Sequence, residues 1–358
     1  MRNRLQTSYD QDVRLFRWRQ DKVWYGLLAI GLILVPLLLP SFYVGELSFV
    51  FIYAIAGVGL MLLVGYTGLV SLGHAAFLGV GAYSHTWFIT HGVPFLPSMI
   101  LAGVLAGVIG MAVGIPTLRM TGIYLSIATL AMGEIIGQVF VRWEGVTGGF
   151  RGLPVPAPVV FGINLGSGPR FYALCLTVLV LVLLGARNLL RSPTGRSWVA
   201  VRDSEIAAQS MGIHLARTKT LAFAVSAAIT GLAGALFAHK VGYLAPDIFT
   251  VLLSIQLLLL VVVGGVGSLH GAVFGALFVA VLPVIIASLR DSLPRALGEQ
   301  PGLEPGIFGL VLVLVILFEP LGVYGRWRKI RLYFSLFPTY RKATFKRQKA
   351  FLRSERLR

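Results

Sequence analysis

From Val23 onward the sequence is divided into apolar runs of about twenty residues, the length of helix that crosses the roughly 30 Å hydrocarbon core of a bilayer. The runs are Val23 to Val44, Leu47 to Val64, a stretch from Ser71 toward His91, Phe95 to Ile115, Gly122 to Val141, Phe171 to Leu190, Thr220 to Ala238, Val251 to Val263, Ala272 to Leu289 and Pro305 to Val323. Backbone in lipid has to satisfy its own polar groups, so such runs fold as helices. With 56% hydrophobic and only 13% charged residues, the chain has too little polar surface to cover a soluble globule. The expected fold is all-α, a polytopic transmembrane bundle of about ten spans, and the 42 glycines suit helices that pack closely in lipid. The run at Val251 is short, which fits a broken or re-entrant helix, and Pro283 predicts a kink.

One polar island, Ser192 to Lys219, lies between two of these runs. Asp203 or Ser204 can cap a short helix with Glu205 in its first turn, and Gly212 can end it. Trp198, Val201, Ile206 and Met211 give the island apolar surface. A connection between spans needs only length and polarity, whereas this segment carries its own start and stop signals. It reads as a small projection that docks into a groove on another protein.

The formal net charge of +17 raises the question of nucleic acid. The basic residues, however, lie mainly in the two tails and between spans, the distribution of a protein held positive-side-in. Residues 1–22 form a basic N-terminal segment; the apolar run after it is long for a signal peptide and no A-x-A-like site follows, so it reads as an uncleaved first span. Residues 23–325 are the membrane domain, with the island occupying 191–219, and residues 326–358 are a basic tail interleaved with Trp327, Tyr333, Phe334, Phe337, Tyr340, Phe345 and Phe351. An even number of crossings puts both tails in the cytosol. Beside a membrane, a basic and aromatic tail is expected to adhere to anionic lipid rather than to nucleic acid.

Chemistry-bearing patterns are sparse. The lone Cys175 allows no internal disulfide, no Cys/His cluster has metal-ligand spacing, and no catalytic constellation or cofactor motif is present. There is no Gly-Lys dipeptide, hence no P-loop, so any ATP hydrolysis belongs to another chain. Glu134 is an acidic residue well inside an apolar run, where a charge costs about 2.5 to 3.5 kcal/mol; it should face the bundle interior or water, either fastening helices as a neutral acid or lining a translocation route. Ser71-Leu72-Gly73-His74-Ala75-Ala76-Phe77 and Ser268-Leu269-His270-Gly271-Ala272-Val273-Phe274 are alike, each following a glycine-rich turn. If they mark the halves of an internal duplication, the route lies between them, which makes Ser71, His74, Ser268 and His270 pathway candidates beside Glu134.

Five pieces taken in order resemble the LivM-type permeases of bacterial branched-chain amino-acid ABC importers. They are Gly65-Tyr66-Thr67-Gly68 with Ser71 to Phe77; Leu118-Arg119 with Gly122-Ile123-Tyr124 and Thr129 to Ile135; Thr147-Gly148-Gly149-Phe150-Arg151-Gly152-Leu153; Gly195-Arg196 to Gly212-Ile213; and Gly264 to Gly271. The resemblance implies a permease fold of the branched-chain amino-acid/ribose type in the bacterial inner membrane. It also implies a LivH-type second permease subunit, two cytosolic ABC ATPase subunits and an extracytoplasmic substrate-binding protein. In such importers a cytosolic loop with an E-A-A-like run and a following glycine contacts the ATPase, which maps here onto Glu205, Ala207, Ala208 and Gly212, with Ile206 interrupting the run and Arg196, Arg202 and Asp203 in the same loop. Urea or another small amide is the alternative cargo. A self-sufficient secondary transporter, with Glu134 and His74 relaying protons, is the reading from another class; it leaves the docking segment without a purpose.

Overall fold

The computed structural model describes residues 19–117, 120, 122–160, 162–166, 168–292, 303–318 and 322–336. The expectations for residues 1–18, Arg119, 293–302 and 337–358 lie outside the described residues.

The apolar runs fold as helices: α1 (Arg19–Leu38), α2 (Ser41–Met61), α3 (His74–Thr90), α4 (Phe95–Thr117), α5 (Ile123–Arg142), α6 (Gly168–Arg191), α9 (Leu215–Val241), α10 (Val251–Gly264), α11 (Leu269–Ser292) and α12 (Leu303–Phe318). Two shorter helices, α7 (Pro193–Asp203) and α8 (Glu205–Ser210), make up the island, and α13 (Gly322–Leu336) opens the tail. Among the described residues six stretches are long and apolar enough to cross a membrane: Ser41–Tyr66, Phe95–Pro116, Ile123–Arg142, Gly168–Arg191, Leu215–Val241 and Pro246–Gly264. Lys22–Leu38 and Leu269–Pro283 are shorter apolar helices. The sequence expectation of about ten spans is therefore larger than the set that meets span length. Of the helices outside that set, α3, which opens after the glycine-rich stretch 65–73, is only 17 residues long, while α1, α11 and α12 border residues outside the described ones.

The bundle is organised around α2, whose apolar stretch is 83% buried. It is surrounded by α9, α6 and α11, while α9 also packs along α3 and α4, and α10 pairs with α11. Apolar side chains gain little by leaving lipid for another helix, so close backbone approach carries much of this packing. A methyl group at Gly81 would sit 2.1 Å from the Gly231 carbonyl oxygen, one at Gly234 2.0 Å from that of Leu78, and one at Gly275 1.9 Å from that of Leu260. At these crossings only hydrogen fits.

At the end of the bundle away from the island, the expected loop from Arg142 to Arg170 is partly structured. Glu144–Thr147 is a short helix and Gly149–Arg151 a 3₁₀ turn. Strand β1 (Leu153–Pro154) pairs antiparallel with β4 (Tyr243–Leu244), and β2 (Val159–Val160) with β3 (Ile163–Asn164). The Tyr243 hydroxyl donates to the Arg151 carbonyl. Thus the loop after α5 and the loop after α9 are tied together.

Candidate functional site: an island seated on two helix breaks

Local signals shape the island. Ser192 is the N-cap of α7, its Oγ accepting from the Gly195 N–H, and Pro193 occupies the first helical position, where its missing N–H is harmless. Ser204, in extended backbone, then caps α8 by accepting from Ala207 N–H at 3.3 Å. The Ile213 N–H bonds back to the Ala208 carbonyl at 3.0 Å, with Gly212 at φ +84° making the left-handed turn that closes the helix. Of the two caps expected, Ser204 is the one used. The sequence reading found α8 and gave no helix at α7, whose local signal is the Ser192-Pro193 start.

Three side chains fasten the island to the core. The buried Trp198 donates its indole N–H to the Thr218 carbonyl at 3.2 Å. Glu205 Oε2 lies 2.7 Å from Nζ of the buried Lys219 on α9. Arg202 donates through Nη1 to the Gly65 carbonyl at 3.0 Å, while its Nε and Nη2 hold Asp203 Oδ1 at 3.1 and 2.9 Å. Ala208 is buried beneath α8, Ala207 is exposed, and Arg196 bonds the Arg191 carbonyl at 2.8 Å. Ile206 and Met211 are each 83% exposed. The island therefore presents two bare apolar side chains on a rigid mount.

It sits where two helices break. Beyond Met61, α2 continues as a π-helical turn, Leu62–Tyr66, whose first carbonyl accepts from Thr67 Oγ1 at 3.0 Å. Ser71 then sits at the start of α3, its Oγ 3.4 Å from Gly73 N and 2.9 Å from His74 Nδ1. In the second copy Ser268 accepts from Gly271 N–H at 2.9 Å at the start of α11. The two breaks touch: a methyl at Gly65 would lie 2.6 Å from Gly267 N, and that N–H points at Met61 Sδ, 3.2 Å away.

The two copies differ in detail: Ser268 caps α11, whereas Ser71 lies ahead of Gly73, the uncapped N-cap of α3, and the histidines part further. His74 is fully buried, with Nε2 2.8 Å from Ser226 Oγ, and that hydroxyl donates to the Gly59 carbonyl at 2.7 Å, so His74 knits α3 to α9 and α2. His270 is exposed, 2.8 Å from the Tyr25 hydroxyl and stacked on Tyr324 with ring planes 6° apart.

Of the two environments expected for Glu134, the bundle interior or water, the interior of this chain is not the one it meets. It lies on the exposed face of α5, a helix whose apolar stretch is only 17% buried, where it lines a surface groove with Ile135, Gln138, Val139, Arg142 and Trp143. The opposite face of α5 is the one committed to this chain, through Leu125, Thr129 and Phe140. Because both ring nitrogens of His74 are engaged by serines, no hydrogen bond joins it to Glu134, and a direct relay between them is not formed.

A polar cluster that sequence reasoning missed lies at the other end of the bundle. His85 Nε2 is 2.9 Å from His239 Nε2, and His85 Nδ1 is 2.9 Å from Ser98 Oγ, joining α3, α9 and α4. The only signal was three polar residues placed singly in apolar runs. Among the described residues no group of three or more His, Cys, Asp and Glu is placed to hold a metal ion.

Residues 42–318 match the family described as branched-chain amino acid transport system / permease component. The chain is similar to the high-affinity branched-chain amino acid transport system permease protein LivM of Salmonella typhimurium and to that of Escherichia coli, 34% identical to each over 275 residues, covering 70% of this chain and 64% of theirs. It is also similar to the autoinducer 2 import system permease protein LsrC of an Enterobacter species, 31% identical over 172 residues, or 48% of this chain and 46% of LsrC. The match spans less than two thirds of the length of the LivM relatives, and no solved structure matches. With the family pattern covering most of a helical membrane bundle, the chain belongs to the branched-chain amino acid transport permease family.

Proposed function

We propose that the chain is the membrane-spanning permease subunit of an ATP-driven importer for branched-chain or related small amino acids in a bacterial inner membrane. The observation that carries this reading is the island. A self-capped helix with Ile206 and Met211 bare at its surface is fixed to the core by Trp198, Lys219 and Arg202, in a chain with no nucleotide site of its own. Such an element suits a groove on a cytosolic ATPase, with Ala207 and Gly212 on the docking side and Arg196, Asp203 and Glu205 framing it. The island end is then cytosolic. The end tied by β1 and β4 faces outward, toward a substrate-binding protein. Counting α1, α3, α11 and α12 as crossings beside the six gives ten, with both termini in the cytosol.

The exposed face of α5 supplies the route. A carboxylate in mid-span is unfavourable against lipid, so the face bearing Glu134, Gln138 and Arg142 is covered by a LivH-type second permease, and the translocation path runs between the two chains. Ser71, His74 and Ser268 then shape helix starts behind that route rather than touch the cargo, and His270 faces α1. The α13 helix, with Arg326, Arg328, Lys329 and Arg331, rests on anionic lipid of the inner leaflet. Urea or another small amide is the second cargo class, since an external binding protein supplies much of the selectivity.

The test is copurification from native membranes. The expected result is recovery with a second permease, two ATPases and a binding protein whose bound ligand, identified by mass spectrometry, is a small aliphatic amino acid. Uptake by the purified chain alone, driven by a proton gradient, would overturn the proposal.

A further inference from the structure

Among the described residues, every side-chain hydrogen bond of α7 and α8, bar one, stays within residues 191–219. The exception is Arg202, which reaches 137 positions back to the Gly65 carbonyl. That carbonyl belongs to the last turn of the π-helical end of α2, where carbonyls run out of partners within the helix, and a guanidinium there also meets the negative end of the helix dipole. The same spot is the contact between the two breaks. A methyl at Gly267, itself at φ +83°, would lie 3.5 Å from the Gly65 oxygen and 3.6 Å from Arg202 Nη1. A methyl at Gly68 would meet Arg202 Cγ at 3.1 Å. The Arg202 side chain therefore bonds the end of α2 through its guanidinium, lies against the turn leading to α3 through its aliphatic stem, and leaves Nη1 beside the turn between α10 and α11. It cannot swing freely, because Asp203 Oδ1 holds its other two nitrogens.

We propose that Arg202 is the transmission residue of the island: a positioning residue that faces the core, not the ATPase, and carries displacement of α7 and α8 to both helix breaks at once. The geometry suits that task. Trp198 and Glu205 link the island to α9, the helix that follows it in the chain, so those links move the island and α9 as one body. Arg202 crosses to two elements that are otherwise separate from the island in sequence. A hydrogen bond of this kind weakens steeply with misalignment, so a shift of the island on the order of 1 Å either drags the α2 end with it or releases it. Either outcome changes how α2, α10 and α11 meet below the route along α5.

This inference rests on the reading of α8 as the ATPase-docking helix, and two measurements separate the fates of the two ideas. In vesicles carrying the assembled importer, Arg202→Ala should leave ATPase copurification at the wild-type level and ATP hydrolysis within about twofold, while uptake per ATP falls by at least about fivefold, with Arg202→Lys intermediate because it keeps the charge and loses the fork. Unchanged uptake per ATP in both variants overturns the inference, and so does loss of copurification in Arg202→Ala, which would make Arg202 part of the dock. If the wild-type chain itself recruits no ATPase, the proposed function fails, and the inference is then decided in detergent on the chain alone. Hydrogen exchange at the Leu69 and Gly267 amides should speed up by about tenfold in Arg202→Ala, with the Ile213 amide of α8 unchanged. No change at Leu69 and Gly267 would show that the guanidinium holds neither break.

Discussion

Lys219 Nζ lies 2.7 Å from Glu205 Oε2, with the lysine side chain 3% exposed and the glutamate 36% exposed. The ammonium is thus committed to the interior, and its counter-charge comes from the first turn of α8. Removing one partner of such a pair strands the other, and the partial exposure of Glu205 tempers the cost to about 2 kcal/mol. Glu205→Gln should lower stability in detergent, and Lys219→Met added to it should restore most of the loss, since an apolar pair of similar volume replaces the ions. Glu205→Lys should abolish ATPase association while insertion is intact. Normal ATPase copurification with Glu205→Lys would count against the docking reading.

Gly212 has open space around it and a backbone at φ +84°. Gly212→Ala should therefore cost only the left-handed conformation, about 1 kcal/mol. Gly212→Pro also removes the N–H that bonds the Gln209 carbonyl at 3.0 Å and forces φ to a value the turn cannot use, so α8 should lose its end. The check is ATPase copurification: nearly normal for Ala, lost for Pro.

Gly234 and Gly137 make a matched pair. A methyl at Gly234 would enter the Leu78 carbonyl, whereas one at Gly137 meets nothing within 4 Å. Gly234→Ala should destabilise the bundle by about 2 kcal/mol or more, and Gly137→Ala should be neutral or slightly favourable for the helix. Thermal unfolding in detergent compares them directly. Equal stability of the two variants would mean that α3 and α9 do not approach as described.

How much of this was legible in the sequence depends on the distance over which each signal acts. Ser204 and Gly212 could be read because caps and left-handed turns are set by neighbours in the chain. The contact of Arg202 with Gly65 could not, since nothing at either residue names the other. Ser71 and Ser268 were noticed as copies, but that Ser268 caps its helix while Ser71 holds His74 became visible only in three dimensions. For Glu134 the apolar run showed that a partner was needed without showing on which side. Span length is hard to read for the same reason: hydropathy measures apolarity, and a short helix buried against α4 and α9 is as apolar as a longer one that meets lipid.

Glu134→Gln keeps the shape and most of the hydrogen bonding of the side chain and removes any charge. On the pathway reading, uptake of an amino acid carrying an ammonium group should fall by about tenfold, with assembly and substrate-stimulated ATPase largely retained. Uptake equal to wild type at matched expression would leave Glu134 a fastener between chains.

A peptide spanning residues 326–358 should bind anionic vesicles and leave them as salt is raised, each basic residue near the surface contributing about 1 kcal/mol. Tight binding to RNA at physiological salt, with indifference to anionic vesicles, would reverse that assignment.

The outward carboxylate of α5 also bears on how many copies of this chain a cell can keep. A subunit made in excess has nothing to lay over Glu134, Gln138 and Arg142, and in bare lipid it tilts, protonates or admits water to relieve them. If a second permease covers this face, as proposed, chains without that neighbour are expected to be shorter-lived than paired ones; the half-life of the chain in cells lacking the neighbour, set against that of Glu134→Leu in the same cells, reads this out.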